Sequence, residues 1–342
     1  MFWLPVPRPL PVALTPMPAI SPACAAHRRM DNNPASASAP APRSDVRGEL
    51  PQVTLGLPVR NGAALLDKAI TAALAQDYPH ITLLISDNCS TDATPDICAR
   101  HAAADPRIRY HRQTRDLGAI GNFEWLARQA DGDYFMWVAH DDTRAPDCVS
   151  QLVAGLIAHP EAIIAYGDVE EIALDGSRRM IPFDGDTRGL GLAGRLRKTA
   201  QPQFFQTYGM WRRAALQRLS FGATAWGQEV PMMMAAACLG EVVHVPGAVL
   251  HYRVNPKPYW QLRMSRDDAL PWGALIAKLP RAVQPFAPRF AMSRLVWGTF
   301  GAVRRVAGLR AGLYAGWLMI LWLGRQIRGW TFGRLPARRG KG

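Results

Sequence analysis

Short apolar runs alternate with helix-like stretches between residue 52 and about residue 253. The apolar runs predict strands at residues 53–57, 81–85, 108–111, 133–139 and 162–166. Apolar residues at helical spacing predict helices at 63–76, 94–104, 118–130 and 146–158, the second with Thr94 as its cap and Pro95 in its first turn. Strands that alternate with helices indicate an α/β fold, with a single Rossmann-like, mostly parallel sheet and helices on both faces.

Acidic and turn-forming residues follow the predicted strands. PVRNG (58–62) comes after the first strand, SDNCSTD (86–92) after the second and AHDD (139–142) after the fourth. Ligands of such sheets bind at the carboxyl ends of the strands. A single Asp at such a position is most often a helix cap or turn residue, but three groups at one edge favour a binding site.

Phosphate-binding glycine loops are missing from the sequence. No GxGxxG follows the first strand, and GxxxxGK does not occur in the chain. The Asp pair at 141–142 suggests a different arrangement, in which carboxylates hold a divalent cation and the cation holds phosphates.

Four segments, in this order, resemble the family 2 glycosyltransferases: LPVRNG (57–62), ISDNCSTDATPDIC (85–98), RQTRDLGAIGNFEWLARQADGDYFMWVAHDD (112–142) and GQEVPMMMAAACLGEVVHVPGAVLHYR (227–253). Each segment alone is a weak signal, and the ordered set carries the resemblance. It implies a GT-A fold and inverting transfer of a sugar from a nucleotide-diphosphate sugar.

The same resemblance implies which residues hold the nucleoside of the donor. The turn that contains Pro58, Arg60 and Asn61 matches the segment that lines the base and ribose. Asp87 matches the acid that bonds the base, and Asp92 matches the second acid of that motif. A helix cap is an equally good interpretation of Asp92.

Other positions match the surroundings of the diphosphate. Arg115, Gly118 and Asn122 match the stretch beside the sugar diphosphate, although Asn122 on a helix is equally compatible with a solvated polar residue. Arg253 matches the place of a cation near the leaving diphosphate.

Asp141 and Asp142 match the metal-binding DxD motif of the family, with Ala139 in place of the usual first acid. The resemblance implies that Asp141 binds the metal and that Asp142 supports it or binds the ribose. Oxygen ligands suit Mg²⁺ or Mn²⁺ better than zinc. We interpret His140 as a neighbour of the site, not as a ligand.

Glu229 matches the second acid of the family's ED motif, which acts as the base, and Gln228 replaces the first acid. A base must take the proton of the acceptor hydroxyl as its oxygen attacks the anomeric carbon. The alternative is that the Glu229 carboxylate only stabilises the dipole of the apolar helix whose N-terminus it occupies.

The net charge of +13 comes from one end of the chain. Residues 271–342 contain thirteen Lys and Arg and no Asp or Glu, so the 27 remaining cations balance all 27 acids in residues 1–270. A nucleic-acid-binding protein is therefore a poor interpretation of the charge, since no recognised binding module accompanies it. A basic, acid-free segment should instead attract an anionic membrane surface.

The tail also contains an uncharged Trp- and Leu-rich stretch at 311–324. Fourteen helical residues reach about 21 Å, less than the roughly 30 Å of a bilayer core. Arginines flank both ends, which opposes a spanning orientation. We expect amphipathic helices that lie in the interface or form a re-entrant pair with residues 290–303; a buried helix of a soluble protein is the alternative.

The sequence thus divides into three regions. Residues 1–50 are a Pro- and Ala-rich leader that we expect to be disordered, with Met17 and Met30 as possible later starts. Residues 51–255 form the expected GT-A domain, and residues 256–342 the basic, membrane-associating helical region. The five cysteines show no metal-binding or paired spacing, and we expect them to be reduced.

Together these features predict an enzyme in the cytoplasm, peripheral or monotopic on the inner face of the plasma membrane. It would transfer a sugar to a hydroxyl of a lipid-linked or cell-surface glycan acceptor. The alternative is a catalytically inactive protein that binds a nucleotide sugar or serves as a scaffold, because acids are missing at Ala139 and Gln228.

Overall fold

The computed structural model describes residues 50–200, 205–221, 229–254 and 287–332, with the side chains of the last helix described for residues 295–322. The leader at residues 1–49, and residues 255–286 and 333–342 in and next to the predicted C-terminal region, lie outside the described residues.

The described residues contain nine strands and eight α-helices. The strands are β1 (Val53–Val59), β2 (Ile81–Asp87), β3 (Ile108–Arg112), β4 (Tyr134–Trp137), β5 (Thr143–Arg144), β6 (Ala162–Ile172), β7 (Arg178–Ile181), β8 (Met210–Arg212) and β9 (Glu241–Arg253). The helices are α1 (Ala63–Leu74), α2 (Thr94–Ala104), α3 (Gly118–Gln129), α4 (Cys148–Ala158), α5 (Leu192–Thr199), α6 (Arg213–Leu216), α7 (Glu229–Ala236) and α8 (Ala287–Phe332), with a short 3-10 helix at Phe205–Tyr208.

All nine strands join one sheet in the order β3-β2-β1-β4-β8-β6-β9-β5, and β7 pairs with β6. The first four strands of this order are parallel to one another, and β6 is parallel to β9. Strands β5, β7 and β8 run antiparallel to their neighbours. The predicted mostly parallel α/β sheet is therefore confirmed.

Helices cover both faces of the sheet because the central strands are apolar on both sides. Every residue of β1 is buried, as expected for an inner parallel strand. One apolar core forms between the sheet and α1, α2 and α4, and the other between the sheet and α3, α5, α7 and α8.

Two local predictions differ from the structure. Strand β6 continues to Ile172, well past the predicted end at residue 166, because its second half pairs with β7 and β9. The N-cap of α2 is Ala93 and not Thr94. Thr94 is the first helical residue, and the Oδ1 atom of Asp92 accepts a hydrogen bond from its backbone N–H at 3.0 Å.

Helix α8 reverses direction at Gly308, whose φ of 83° and ψ of 178° lie outside the helical region. A Cβ added at Gly312 would come within 3.0 Å of the carbonyl oxygen of Phe300, and one at Gly316 within 3.6 Å of the Phe300 Cβ. Residues 287–307 and 309–332 therefore form two antiparallel arms, which we call the C-terminal hairpin. Within the described part of the chain, no helix has the length and apolar character needed to cross a membrane.

Candidate functional site

The turns that follow β1 and β2 are joined by hydrogen bonds at the carboxyl edge of the sheet. Pro58 is buried within β1, and Asn61 has a left-handed φ of 52°. The backbone N–H of Asn61 donates to Ser90 Oγ at 2.8 Å, and its Oδ1 accepts from the backbone N–H of Thr91 at 2.8 Å. The sequence predicts both turns, and the structure shows that they support each other.

Asp87 ends β2 and has no exposed side-chain surface. Its Oδ1 accepts from the backbone N–H of Ser90 at 2.9 Å, and its Oδ2 accepts from the Tyr110 hydroxyl at 3.2 Å. The Nε of Arg112 lies 3.5 Å from the same Oδ2. The carboxylate therefore holds the turn after β2 against β3.

Asp92 has the contacts of a helix cap. Besides the bond from Thr94, its Oδ2 accepts from the backbone N–H of Ala63, at the start of α1, at 3.2 Å. Burial raises the pKa of Asp92, but the hydrogen bonds from Thr94 and Ala63 outweigh it and hold the pKa below its usual value. One carboxylate thus joins the first turns of two helices.

Asp116 connects three segments of the site, a role that the sequence interpretation missed. It pairs with Arg60, and its Oδ1 accepts from Asn88 Nδ2 at 2.6 Å and from the backbone N–H of Gly118 at 2.8 Å. Asn88 Oδ1 in turn accepts from the backbone N–H of Leu117 at 2.8 Å. The Asp-x-Gly sequence at 116–118 is the signal that could have indicated a turn here, and Gly118 has a left-handed φ of 68°.

Helix α3 begins at Gly118 and carries Asn122, two of the residues predicted to lie beside the diphosphate. Asn122 is buried; its Nδ2 donates to the Ser86 carbonyl at 3.0 Å and its Oδ1 accepts from Ser86 Oγ at 2.5 Å. The amide therefore fixes α3 to the end of β2. Arg115 lines an open cleft of about 440 Å³ on the outer side of α3, together with Trp125 and Arg128.

Asp141 and Asp142 follow β4 and differ in exposure. The Asp141 side chain is 27% exposed, whereas Asp142 is 7% exposed. Burial, and next the negative charge of Asp141, raise the pKa of Asp142 to about 7. Strand β5 pairs with β9 directly after this motif, which places the end of β9 beside it.

Arg253 is the last residue of β9, and its backbone N–H donates to Asp142 Oδ1 at 2.9 Å. Its side-chain Nε is buried and has no hydrogen-bond partner among the described residues. A buried donor without an acceptor is costly, so this atom is available to an anionic group that binds at the edge.

The acids at 141–142 fit a hard divalent cation. The two carboxylates are adjacent, and burial raises the pKa of Asp142. A cation that bridges these carboxylates to a phosphate would stabilise their negative charge. The described residues contain no cluster of three or more His, Cys, Asp or Glu placed for a metal.

Two further contacts hold this motif in place. A Cβ at Gly62 would lie 2.6 Å from the His140 ring, so that the turn after β1 touches the motif after β4. Arg144, which is 9% exposed, donates to the carbonyls of Trp137 at 2.8 Å and Tyr208 at 3.0 Å. The sequence interpretation missed Arg144, because a charged residue after a strand is ordinarily expected at the surface.

Glu229 is the first residue of α7 and its side chain is exposed. The seven residues that follow it in the helix are all buried, and all of them except Pro231 belong to the apolar core that contains the C-terminal hairpin. Gln228 lies outside the described residues. The structure thus places Glu229 at the exposed start of a helix whose remaining residues are buried beside the C-terminal hairpin.

Comparison with known proteins adds sequence and fold relatives. Residues 54–219 match the model of glycosyl transferase family 2. The chain is 33% identical over 140 residues to the uncharacterized protein y4gI of Sinorhizobium fredii, a match that spans 40% of this chain and 15% of y4gI. It is 32% identical over 128 residues to the succinoglycan biosynthesis protein ExoO of Rhizobium meliloti, spanning 37% of this chain and 36% of ExoO.

Among solved structures, S. aureus TarS 1–349 in complex with UDP aligns with a TM-score of 0.54 at 15% identity, over 84% of this chain and 93% of TarS 1–349. At that identity the likeness establishes the fold. The strand-end turns and the acids at 141–142 lie within residues 54–219, the stretch that matches glycosyl transferase family 2, and the described residues have the GT-A fold.

Proposed function

We propose that the protein transfers a sugar from a nucleotide-diphosphate sugar to a hydroxyl of a glycan or lipid-linked acceptor, with inversion at the anomeric carbon. The observation that carries the proposal is the meeting of Asp141, Asp142 and Arg253, whose buried Nε has no partner among the described residues, at the carboxyl edge of a sheet that matches this family. ExoO is named for succinoglycan biosynthesis and TarS was solved with UDP, which supports a glycan product and a nucleotide donor.

The donor would lie along the joined turns. Arg60, Asn61 and Asp87 would position the base and ribose, with Asp92 supporting the turn. Arg115 and Gly118 would position the diphosphate at the start of α3, and Asn122, whose amide bonds Ser86, would hold that helix in place.

Asp141 would hold Mg²⁺ or Mn²⁺, and Asp142 would support that ion or the ribose. The ion would offset the negative charge that develops on the departing diphosphate. Arg253 provides the protein's own positive charge for the same purpose, since its buried Nε needs an acceptor.

Glu229 would act as the base. Its carboxylate takes the proton of the acceptor hydroxyl while the hydroxyl oxygen forms a bond to the anomeric carbon. The bond from that carbon to the diphosphate oxygen breaks at the same time, and the nucleoside diphosphate leaves with the bonding electrons. Attack from the face opposite the leaving group inverts the configuration.

The enzyme would work at the inner face of the plasma membrane, on the cytoplasmic side. The acid-free basic tail provides electrostatic attraction to anionic lipids, which would keep the enzyme beside a lipid-linked or growing surface glycan.

The test combines binding and turnover. Thermal shifts with UDP-, GDP- and dTDP-sugars in the presence of Mn²⁺ identify the donor, and release of nucleoside diphosphate measures turnover. We expect Glu229→Gln to bind donor normally and to lose at least about 100-fold in turnover. Asp141→Ala should weaken Mn²⁺-dependent donor binding.

Glu161→Gln is the matched control, because Glu161 is an exposed glutamate outside the site. It should leave binding and turnover unchanged. Donor binding without turnover of any acceptor would instead indicate the inactive, nucleotide-sugar-binding alternative. Absence of any nucleotide-sugar binding would refute the proposal.

A further inference from the structure

The outer face of the second hairpin arm carries an exposed apolar stripe. It consists of Leu309, Leu313, Trp317, Ile320 and Leu321, which are 58, 58, 51, 56 and 39% exposed among the described residues. Their spacing places them on one side of the helix, and the twelve steps from Leu309 to Leu321, at about 1.5 Å each, give the stripe a length of about 18 Å. We call these five residues the apolar stripe.

The opposite side of the same arm is already packed. Ala315 and Met319 are fully buried and Leu318 is 9% exposed, all in the core that contains α7. A helix at the surface of a soluble domain normally has polar residues on its outer side. This arm is apolar on both sides, so its outer side needs a partner beyond what folding of the described residues requires.

Positive charge accompanies the stripe. Arg304 and Arg310, near the bend at Gly308, are exposed. Residues 271–342 contain no acid that could neutralise them. If a second copy docked through the same face, two basic, acid-free surfaces would meet and repel each other. A second copy is therefore a poor candidate for the partner of the stripe. An anionic lipid surface supplies both the apolar phase and the opposite charge.

The geometry favours a helix that lies in the membrane interface. None of the described helices can cross a bilayer. Trp317 lies within the stripe and Trp297, 69% exposed, lies on the first arm. Tryptophan combines an apolar ring with a polar N–H and is favoured at the level of the lipid headgroups.

We infer that the apolar stripe docks on an anionic bilayer, with Leu313, Trp317 and Ile320 entering the boundary between headgroups and acyl chains. This inference deepens the proposed function and rests on it, because the lipid-linked acceptor is itself part of that proposal. The buried side of the arm lies in the same apolar core as Met233 and Met234 of α7, the helix that Glu229 begins. Docking would therefore hold the helix of the proposed base at the membrane surface, where a lipid-linked acceptor is presented.

The experiment is flotation of the purified full-length protein with vesicles of phosphatidylcholine alone or with 30% phosphatidylglycerol. Ile320→Asp is the test variant, and Ile157→Asp is its matched control, since Ile157 is a 48% exposed isoleucine on α4. We expect wild type and Ile157→Asp to float with the anionic vesicles. Ile320→Asp should lose at least tenfold in the bound fraction at limiting lipid.

Thermal shift with the nucleotide sugar is measured on the same three proteins. Loss of flotation in Ile320→Asp with unchanged donor binding supports the docking surface separately from the catalytic proposal. A protein that floats but binds no nucleotide sugar would refute the proposed function and leave the docking surface standing.

Three results would overturn the inference. Ile320→Asp could float as well as wild type, or wild type could fail to float with either vesicle. Alternatively, gel filtration could show a wild-type dimer that Ile320→Asp converts to a monomer, which would identify a second copy as the occupant.

Discussion

Replacement of Gly62 by Ala tests whether the turn after β1 positions the proposed metal-binding motif. Gly62 caps α1 with a φ of −104° and a ψ of 10°, a conformation that alanine adopts without strain. The added Cβ would lie 2.6 Å from His140 Cδ2 and 2.7 Å from Val59 Cγ2. Ordinary carbon contacts are about 3.5–4.0 Å, so at least one neighbour must move by about 1 Å.

The two neighbours differ in their freedom to move. Val59 is 2% exposed in a central strand, whereas the His140 side chain is 33% exposed and next to Asp141. We expect Gly62→Ala to displace His140, to cost about 1–3 kcal/mol of unfolding free energy and to weaken Mn²⁺ binding. Urea unfolding and Mn²⁺ titration measure the two effects.

A double-mutant cycle with His140→Ala isolates the contact. Removing the ring gives the new methyl group space, so the double variant should be about 1 kcal/mol more stable than the sum of the single changes predicts. Gly191→Ala is the matched control: it is also a helix N-cap at negative φ, and its Cβ would meet nothing within 4 Å. Additivity within about 0.5 kcal/mol, or unchanged Mn²⁺ binding in Gly62→Ala, would refute the reasoning.

Three further predictions concern residues that the structure singles out. Burial raises the pKa of Asp116, but hydrogen bonds from Gly118 and Asn88 and the charge of Arg60 outweigh burial and lower the pKa. The ionised carboxylate therefore stabilises the fold at pH values above 3.8, its usual pKa. Urea unfolding should show Asp116→Asn less stable than wild type at pH 7, by about 1 kcal/mol for this partly exposed group, and the difference should shrink as the pH falls below 3.8. Arg144→Met should cost about 2–4 kcal/mol, because two buried carbonyls lose their donor; equal melting temperatures would contradict this. Gly308→Ala should cost about 1–3 kcal/mol, since alanine avoids that φ and ψ, and an unchanged melting temperature would show that the bend is not required.

The long elements could be predicted from the sequence because their apolar spacing is local. Strands β1 to β4 and helices α1 to α4 occur close to the predicted positions. Strands β5, β7 and β8 were not predicted; they are two to four residues long, too short for a periodic signal. Their existence depends on pairing with β4, β6 and β9, which is a property of the folded chain.

The site shows the same division between local and long-range information. The acids at the strand ends were predicted because their positions relative to the strands are local. The network around Asp116 was not, since it joins Arg60, Asn88 and Gly118 from separate turns. The Ala139 and Gln228 departures from the family pattern likewise cannot be judged without geometry, and for the first of these motifs the structure shows the charge of Arg253 close to Asp142.

Helix α7 connects the catalytic proposal with the membrane proposal. Every residue from Val230 to Ala236 is buried, and Met233 and Met234 share a core with Leu318 and Met319 of the hairpin. Burial of one such side chain contributes about 1.5–3 kcal/mol, so removing the hairpin would uncover α7 and destabilise the domain itself. Deletion of the tail would therefore confuse loss of membrane binding with loss of fold, whereas a single substitution on the outer apolar stripe changes membrane contact and leaves the support of Glu229 in place.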